Sequence, residues 1–290
     1  MRSLYRGLQI VAWLGLPALL FAQADRSYRS ANDETEEFSQ SYKMRGDRDV
    51  RLRLIVDAGE IHVSRGSSTD QISVKLVYTK KQFTHVISND QRNNELDITF
   101  DKKGWFEYDS DRMTARVEME LPTEVPLRIY SRIKAGEVDM QLGGMRIVEF
   151  TLKTWAGQVD VDFDEPNQTT MSYLEINTKI GESSLRNLGN ARFQNADING
   201  GIGEMSIDFR GDMMDNASAD VDLDIGETVI LLPEKCGTKM LVSKFPVLSQ
   251  VKLPYRLEKE GRYYYTKDNQ EAGKVFELRL SSGIGELRIE

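Results

Sequence analysis

The chain has 290 residues, with 38 Lys and Arg against 46 Asp and Glu, a formal net charge of −8 and one cysteine. An acidic excess with no basic run longer than two residues argues against nucleic acid and against strong binding to anionic membranes, because phosphate recognition needs clustered Lys and Arg. A lone Cys236 allows no internal disulfide, so stability has to come from packing.

The first 24 residues read as a secretory signal peptide. Arg2 and Arg6 form a positive start, Gly7 to Phe21 is mostly apolar, and Ala22-Gln23-Ala24 is a small-x-small site that predicts cleavage after Ala24. The apolar stretch is shorter than the ~20 residues of a comfortable span; the alternative is an uncleaved N-terminal anchor. Removing the leader with its two arginines takes the formal charge from −8 to −10. Residues 25–47 are polar and charged and read as a linker or loosely held arm. The Arg45-Gly46-Asp47 tripeptide within it could signal adhesion, but it reads first as a turn.

Residues 48–290 read as one strand-rich domain. "VRLRLIVDAGEIHVSRG" opens it at 50–66, and "QISVKLVYTK", "THVIS", "ELDITFD" and "ARVEMELP" follow with turn-like breaks. The region of about 70–122 is therefore expected to form antiparallel hairpins. Pro122 and Pro126 mark an edge or a connection, since proline cannot donate to a ladder. A second irregular insertion is expected at about 233–275, before "FELRLSSGIGELRIE". The last strand, with Glu286, Arg288 and Glu290 on one face, reads as an exposed edge protected by charge.

Between these insertions the chain repeats itself. A small or apolar residue precedes Gly-Glu or Gly-Gln at Gly59, Gly136, Gly157, Gly181, Gly203, Gly226 and Gly285, with spacings of 77, 21, 24, 22, 23 and 59 residues. Four consecutive intervals near 22 indicate stacked coils of a solenoid. Apolar residues fall at the second and fourth positions after the glycine, as in Val159 and Val161 or Met205 and Ile207. Before it they fall at odd offsets, as in Phe150 and Leu152. A straight strand cannot change parity without turning its core face to water, so the seven glycines are expected to be structural corners at positive φ. "GGIGEMSIDF" could pass for a phosphate loop, but a strand follows it, and neither a helix nor a lysine is in place. Ser183 stands where an apolar residue is expected and predicts an irregular coil.

Residues that could carry chemistry are sparse. The column after the glycines is Glu60, Glu137, Gln158, Glu182, Glu204, Glu227 and Glu286. In register these side chains would repel, leaving exposure, a bound cation or splaying as the ways out. Asp160, Asp162 and Asp164 share one strand face and form the one weak metal candidate; a solvated outer face is the competing reading. Cys236 reads as buried and inert, with no evident link to His62 or His85. Tyr263, Tyr264 and Tyr265 read as hairpin packing or as a glycan or protein contact. No cofactor motif and no catalytic set are present, and ligand-binding residues are not legible.

The Ala/Ile-Gly-Glu/Gln copies, with "VEMELPTEVPLRIYSRIKAGEV" and "IGETVILLPEKCGTKMLVS", resemble the adhesin repeat domain of bacterial envelope proteins. They are also similar in style to toast-rack and cell-wall-stress-response C-terminal domains. The resemblance covers roughly residues 50–290 and implies an all-β, parallel β-helix-like stack of ~22-residue coils. It further implies a non-enzymatic exported module for adhesion, binding or spacing, in the periplasm, outer envelope or cell surface, whose partner is an envelope component, a glycan or a protein. An envelope-stress sensor is the alternative. A polysaccharide-active enzyme would need a cleft where the repeat breaks, for which Arg256 and Arg262 are the nearest candidates.

Overall fold

Sixteen strands of the computed structural model make one continuous sheet. The structure describes residues 34–104, 114–214, 216–234, 236–244, 249–266 and 274–290. The signal-peptide assignment, residues 25–33 of the arm and parts of both expected insertions lie outside them. No described helix is long and apolar enough to cross a membrane.

Six of the seven glycine-bearing segments are strands that run side by side in parallel: β2 (Val50–Arg65), β7 (Leu127–Gln141), β8 (Ile147–Asp162), β9 (Met171–Arg186), β10 (Phe193–Asp208) and β11 (Ser218–Leu231). The seventh, β16 (Val275–Ile289), pairs with β11. Register places glycine on glycine at every step from Gly59 to Gly285. A parallel ladder superposes equivalent residues, so the sequence repeat fixes the register directly.

Each coil is an arm, a bend and a second arm. In β8, Phe150, Leu152 and Thr154 face inward, residues 155–158 are exposed, and Val159 and Val161 face inward again. The parity change anticipated around the glycine is present, but the bend begins earlier. Register is interrupted two residues before the glycine at Asp57, Lys134, Trp155, Lys179, Gly201, Asp224 and Gly283. From Ala156 onward the residue just before the glycine is therefore exposed, although its odd offset assigned it to the core; Ala58 and Ala135 are half-buried. Ser183 is another correction. It is buried and paired in register with Val159 and Met205, because a small hydroxyl between larger neighbours leaves the ladder intact.

The outer layer at each end is built from two short strands in place of one bent strand. On the β2 side, β5 (Glu95–Lys102) pairs with the first arm and β6 (Ala115–Leu121) with the second, both in parallel. On the β16 side, β12 (Gly237–Lys244) and β13 (Ser249–Lys252) do the same. The expected hairpin and irregular insertions thus contribute layers to the stack. Antiparallel strands finish each end. β3 (Gln71–Thr79) pairs with β6 and β4 (Phe83–Asp90) with β5; β15 (Tyr263–Thr266) pairs with β12 and with β14 (Leu257–Glu260). The polar arm contributes β1 (Thr35–Lys43), paired with β3; only Tyr42 of it is buried, which is why it reads as a linker.

The strand expected to be an exposed edge is interior: β16 lies between β11 and the β12/β13 layer. Its charged residues find local partners there. Glu286 is 2.7 Å from Lys252 and 2.9 Å from Arg288.

The connections are layered too. Phe163 N–H donates to the Arg186 carbonyl and Phe209 N–H to that of Leu231. Behind the strands, Phe193, Phe209 and Phe276 make a ring cluster with centroids 4.9–6.4 Å apart. Asn167, 1% exposed, ties adjacent layers. Its Nδ2 donates to the carbonyls of Ile147, Thr169 and Ala191, and its Oδ1 accepts from Ile147 N–H.

Candidate functional site

The seven glycines stand at φ between 132° and 148°, a region closed to most L residues. A Cβ on Gly136, Gly157, Gly181, Gly203, Gly226 or Gly285 would lie 1.7–1.9 Å from the carbonyl oxygen of the glycine one layer back. Backbone is thus packed on backbone along the corner. At Gly59 the neighbour is Ala115, whose carbonyl oxygen would be 2.6 Å away. No phosphate-cradling helix follows Gly203; it lies inside a strand.

Two side-chain rows flank this column. The row after the glycines is acidic, and its ends are compensated: Arg116 lies 2.8 Å from Glu60, and Lys252 and Arg288 hold Glu286. Hydrogen bonds to Lys252 and Arg288 outweigh desolvation and hold the Glu286 carboxyl below the usual range. Glu137, Glu182, Glu204 and Glu227 are exposed and have no salt bridge among the described residues. The row before the glycines is apolar. Ile180, Ile202, Ile225 and Ile284 are 57%, 52%, 46% and 45% exposed, and Trp155 on β8 is 60% exposed.

Asp160 and Asp162 share one guanidinium: Arg186 Nη1 lies 3.0 Å from Asp160 and Nε 2.9 Å from Asp162. Asn187 donates to the second Asp162 oxygen at 2.8 Å, and Asp164 is exposed. Arginine holds two of the three carboxylates that a cation would need. Among the described residues no group of three or more His, Cys, Asp or Glu is arranged to hold a metal ion.

Cys236 is buried, and burial pushes its thiol upward, away from the reactive thiolate. Neither histidine is its partner: His62 Nδ1 lies 3.0 Å from Asp139, and His85 Nδ1 lies 3.0 Å from the Tyr78 hydroxyl. Arg45 and Asp47 pair across a turn at 2.7 Å. Tyr263 and Tyr265 face one side of β15, with ring centroids 6.3 Å apart, and Lys239 sits 5.1 Å over the Tyr263 ring. Where an enzyme would need a cleft, Arg262 also stacks on Tyr263, and Arg256 donates to the Glu290 carbonyl.

His85 gives a pH prediction. It packs against Phe38 of β1, with centroids 4.6 Å apart, and desolvation lowers its pKa below 6.5, with Glu36 opposing. The unfolded chain then binds more protons just below pH 6.5, so this contribution is complete above that value and lost as pH falls through the folded pKa. Melting temperature is expected to fall on acidification from pH 7 to 5, with a smaller slope in His85→Phe. Identical slopes in the two proteins would show that His85 does not contribute.

Comparison with known proteins gives a family match and distant solved structures, among them the two described below. Residues 30–173 match the family described as the N-terminal domain of toast_rack, DUF2154. A crystal structure titled "putative cell adhesion protein" from Clostridium sporogenes ATCC 15579 is 14% identical, with a TM-score of 0.43 over 88% of this chain and 99% of that one. A second, titled "putative adhesin" from Bacteroides fragilis NCTC 9343, is 10% identical, with a TM-score of 0.37 over 88% and 97%. No curated protein matches the sequence. The bent, glycine-registered strands β2, β7 and β8 fall inside the matched segment, and over residues 30–173 the chain is similar to the toast-rack N-terminal domain family.

Proposed function

We propose that this protein is a non-enzymatic module of the cell envelope, exported by its leader, that binds or spaces envelope components. The observation that carries this reading is the unbroken glycine-on-glycine register. It repeats every outward offset layer after layer on a backbone too closely packed to flex at the corners, which suits an extended contact surface. The partner class is a glycan or a protein of the envelope.

Fractionation of the native host, with protease added to whole cells and intact mass read on the recovered chain, tests it. A chain beginning at Asp25 in the envelope or at the surface is the expected result. A chain that keeps Met1 and stays in the membrane until the envelope is opened would favour the anchored stress-sensor reading. A cytosolic chain would overturn both.

A further inference from the structure

We propose that the corner edge across β9, β10, β11 and β16 is a docking surface for a cationic amphipathic helix. This rests on the reading of the chain as a binding module and names its partner's chemistry.

Two separate features meet on this edge. The first is apolar. Four isoleucines, about half exposed, occupy the same offset on four adjacent strands. On the earlier layers that offset holds Ala58, Ala135 and Ala156. A contiguous exposed aliphatic row costs solubility and marks interaction surfaces. The second is electrostatic. Glu182, Glu204 and Glu227 lie on adjacent strands two residues further along, without a described cation, whereas the acids at both ends of the row have one. Their mutual repulsion at ~4.8 Å spacing is relieved by an incoming cation.

Charge selects the occupant. A second copy would bring another glutamate row, and an anionic lipid surface would add more negative charge. A partner with aliphatic residues beside Lys or Arg satisfies both rows. Spacing selects its conformation. A helix advances ~5.4 Å per turn, close to the ~4.8 Å between layers, so one turn meets each isoleucine over three or four turns. A strand along the edge repeats its face every ~6.7 Å and falls out of step after one layer.

The test uses the full chain as its host processes it and a fluorescent helical peptide of about 18 residues made of Leu on one face and Lys on the other. Anisotropy is expected to show salt-sensitive binding. It should weaken at least tenfold in Ile202→Ser/Ile225→Ser and in Glu204→Gln/Glu227→Gln, and hold in Asp220→Asn/Asp222→Asn, which removes the same charge elsewhere. All these positions are exposed, so circular dichroism melts should match the parent; Ile180→Ser/Glu182→Gln replaces any pair that unfolds. Equal affinity for a peptide with Ser in place of Leu, or an equal loss in the Asp220/Asp222 pair, would reduce the effect to general attraction and overturn the proposal. So would absent binding, or a dimer of the parent chain that the isoleucine pair abolishes. These outcomes are independent of localisation: failure in fractionation sinks the envelope reading, and failure here sinks the docking edge.

Discussion

Gly203→Ala is expected to destabilise the protein by about 3 kcal/mol and to lower the melting temperature by roughly 6–12 °C. Two effects combine. The residue sits at φ 143°, which strains any L side chain. The new methyl carbon would also start 1.8 Å from the Gly181 carbonyl oxygen, a backbone atom held by its own ladder. Neither layer can move alone, because Gly203 is itself the floor under Gly226. Gly46→Ala is the control: no atom lies within 4 Å of the added carbon, and its effect should stay within about 0.5 kcal/mol. Thermal unfolding followed by circular dichroism reads both. Coincident melts for Gly203→Ala and the parent would mean that the corner relaxes freely and that close backbone packing does not set its rigidity.

Asn167→Ala is expected to cost about 3–4 kcal/mol, from backbone groups of Ile147, Thr169 and Ala191 left buried without their partner. The loss should exceed that of an exposed polar residue such as Asn195, at about 0.5 kcal/mol or less. Asn167→Asp separates donor from acceptor. A carboxylate there keeps the bond from Ile147 N–H but faces three carbonyl oxygens, so the variant should recover stability as the pH is lowered and its carboxyl protonates. A melt of Asn167→Asp that is no better at pH 4.5 than at pH 7.5, relative to the parent, would show that the side chain is not the tie between these layers.

The parallel stack was legible because each layer repeats the same pattern at the same offset from a glycine, so spacing and parity alone give the coil and its bend. Asn167 was not legible. A polar residue after Glu165-Pro166 looks like any turn asparagine, and only the fold shows that its neighbours are buried carbonyls. Asn94 is a second case: 2% exposed at φ 60°, it donates to the Arg45, Arg48 and Asp49 carbonyls from a stretch that reads as a plain turn. The exposed isoleucines were misplaced for a different reason. Alternation carried one step too far counts the residue before the glycine as inward, whereas the bend has already begun. Their signal was present in the change from Ala to Ile at that offset from Ile180 onward. The two-strand end layers could not be read at all, since no spacing rule links β12 to β13 or β5 to β6.

The interior position of β16 sets an order of assembly. Layers from β2 to β11 can add one after another as the chain emerges, each on the layer made just before it. β12 and β13 cannot, because both pair with a strand that is synthesised after them. Until residues 275–289 arrive, β11 presents an open edge and β12 and β13 have no parallel neighbour. Chains interrupted in this window should be sticky and protease-sensitive, as unpaired strand edges are. Closing that edge is therefore a test of completeness: the stack is sealed only in molecules whose synthesis has passed the final repeat.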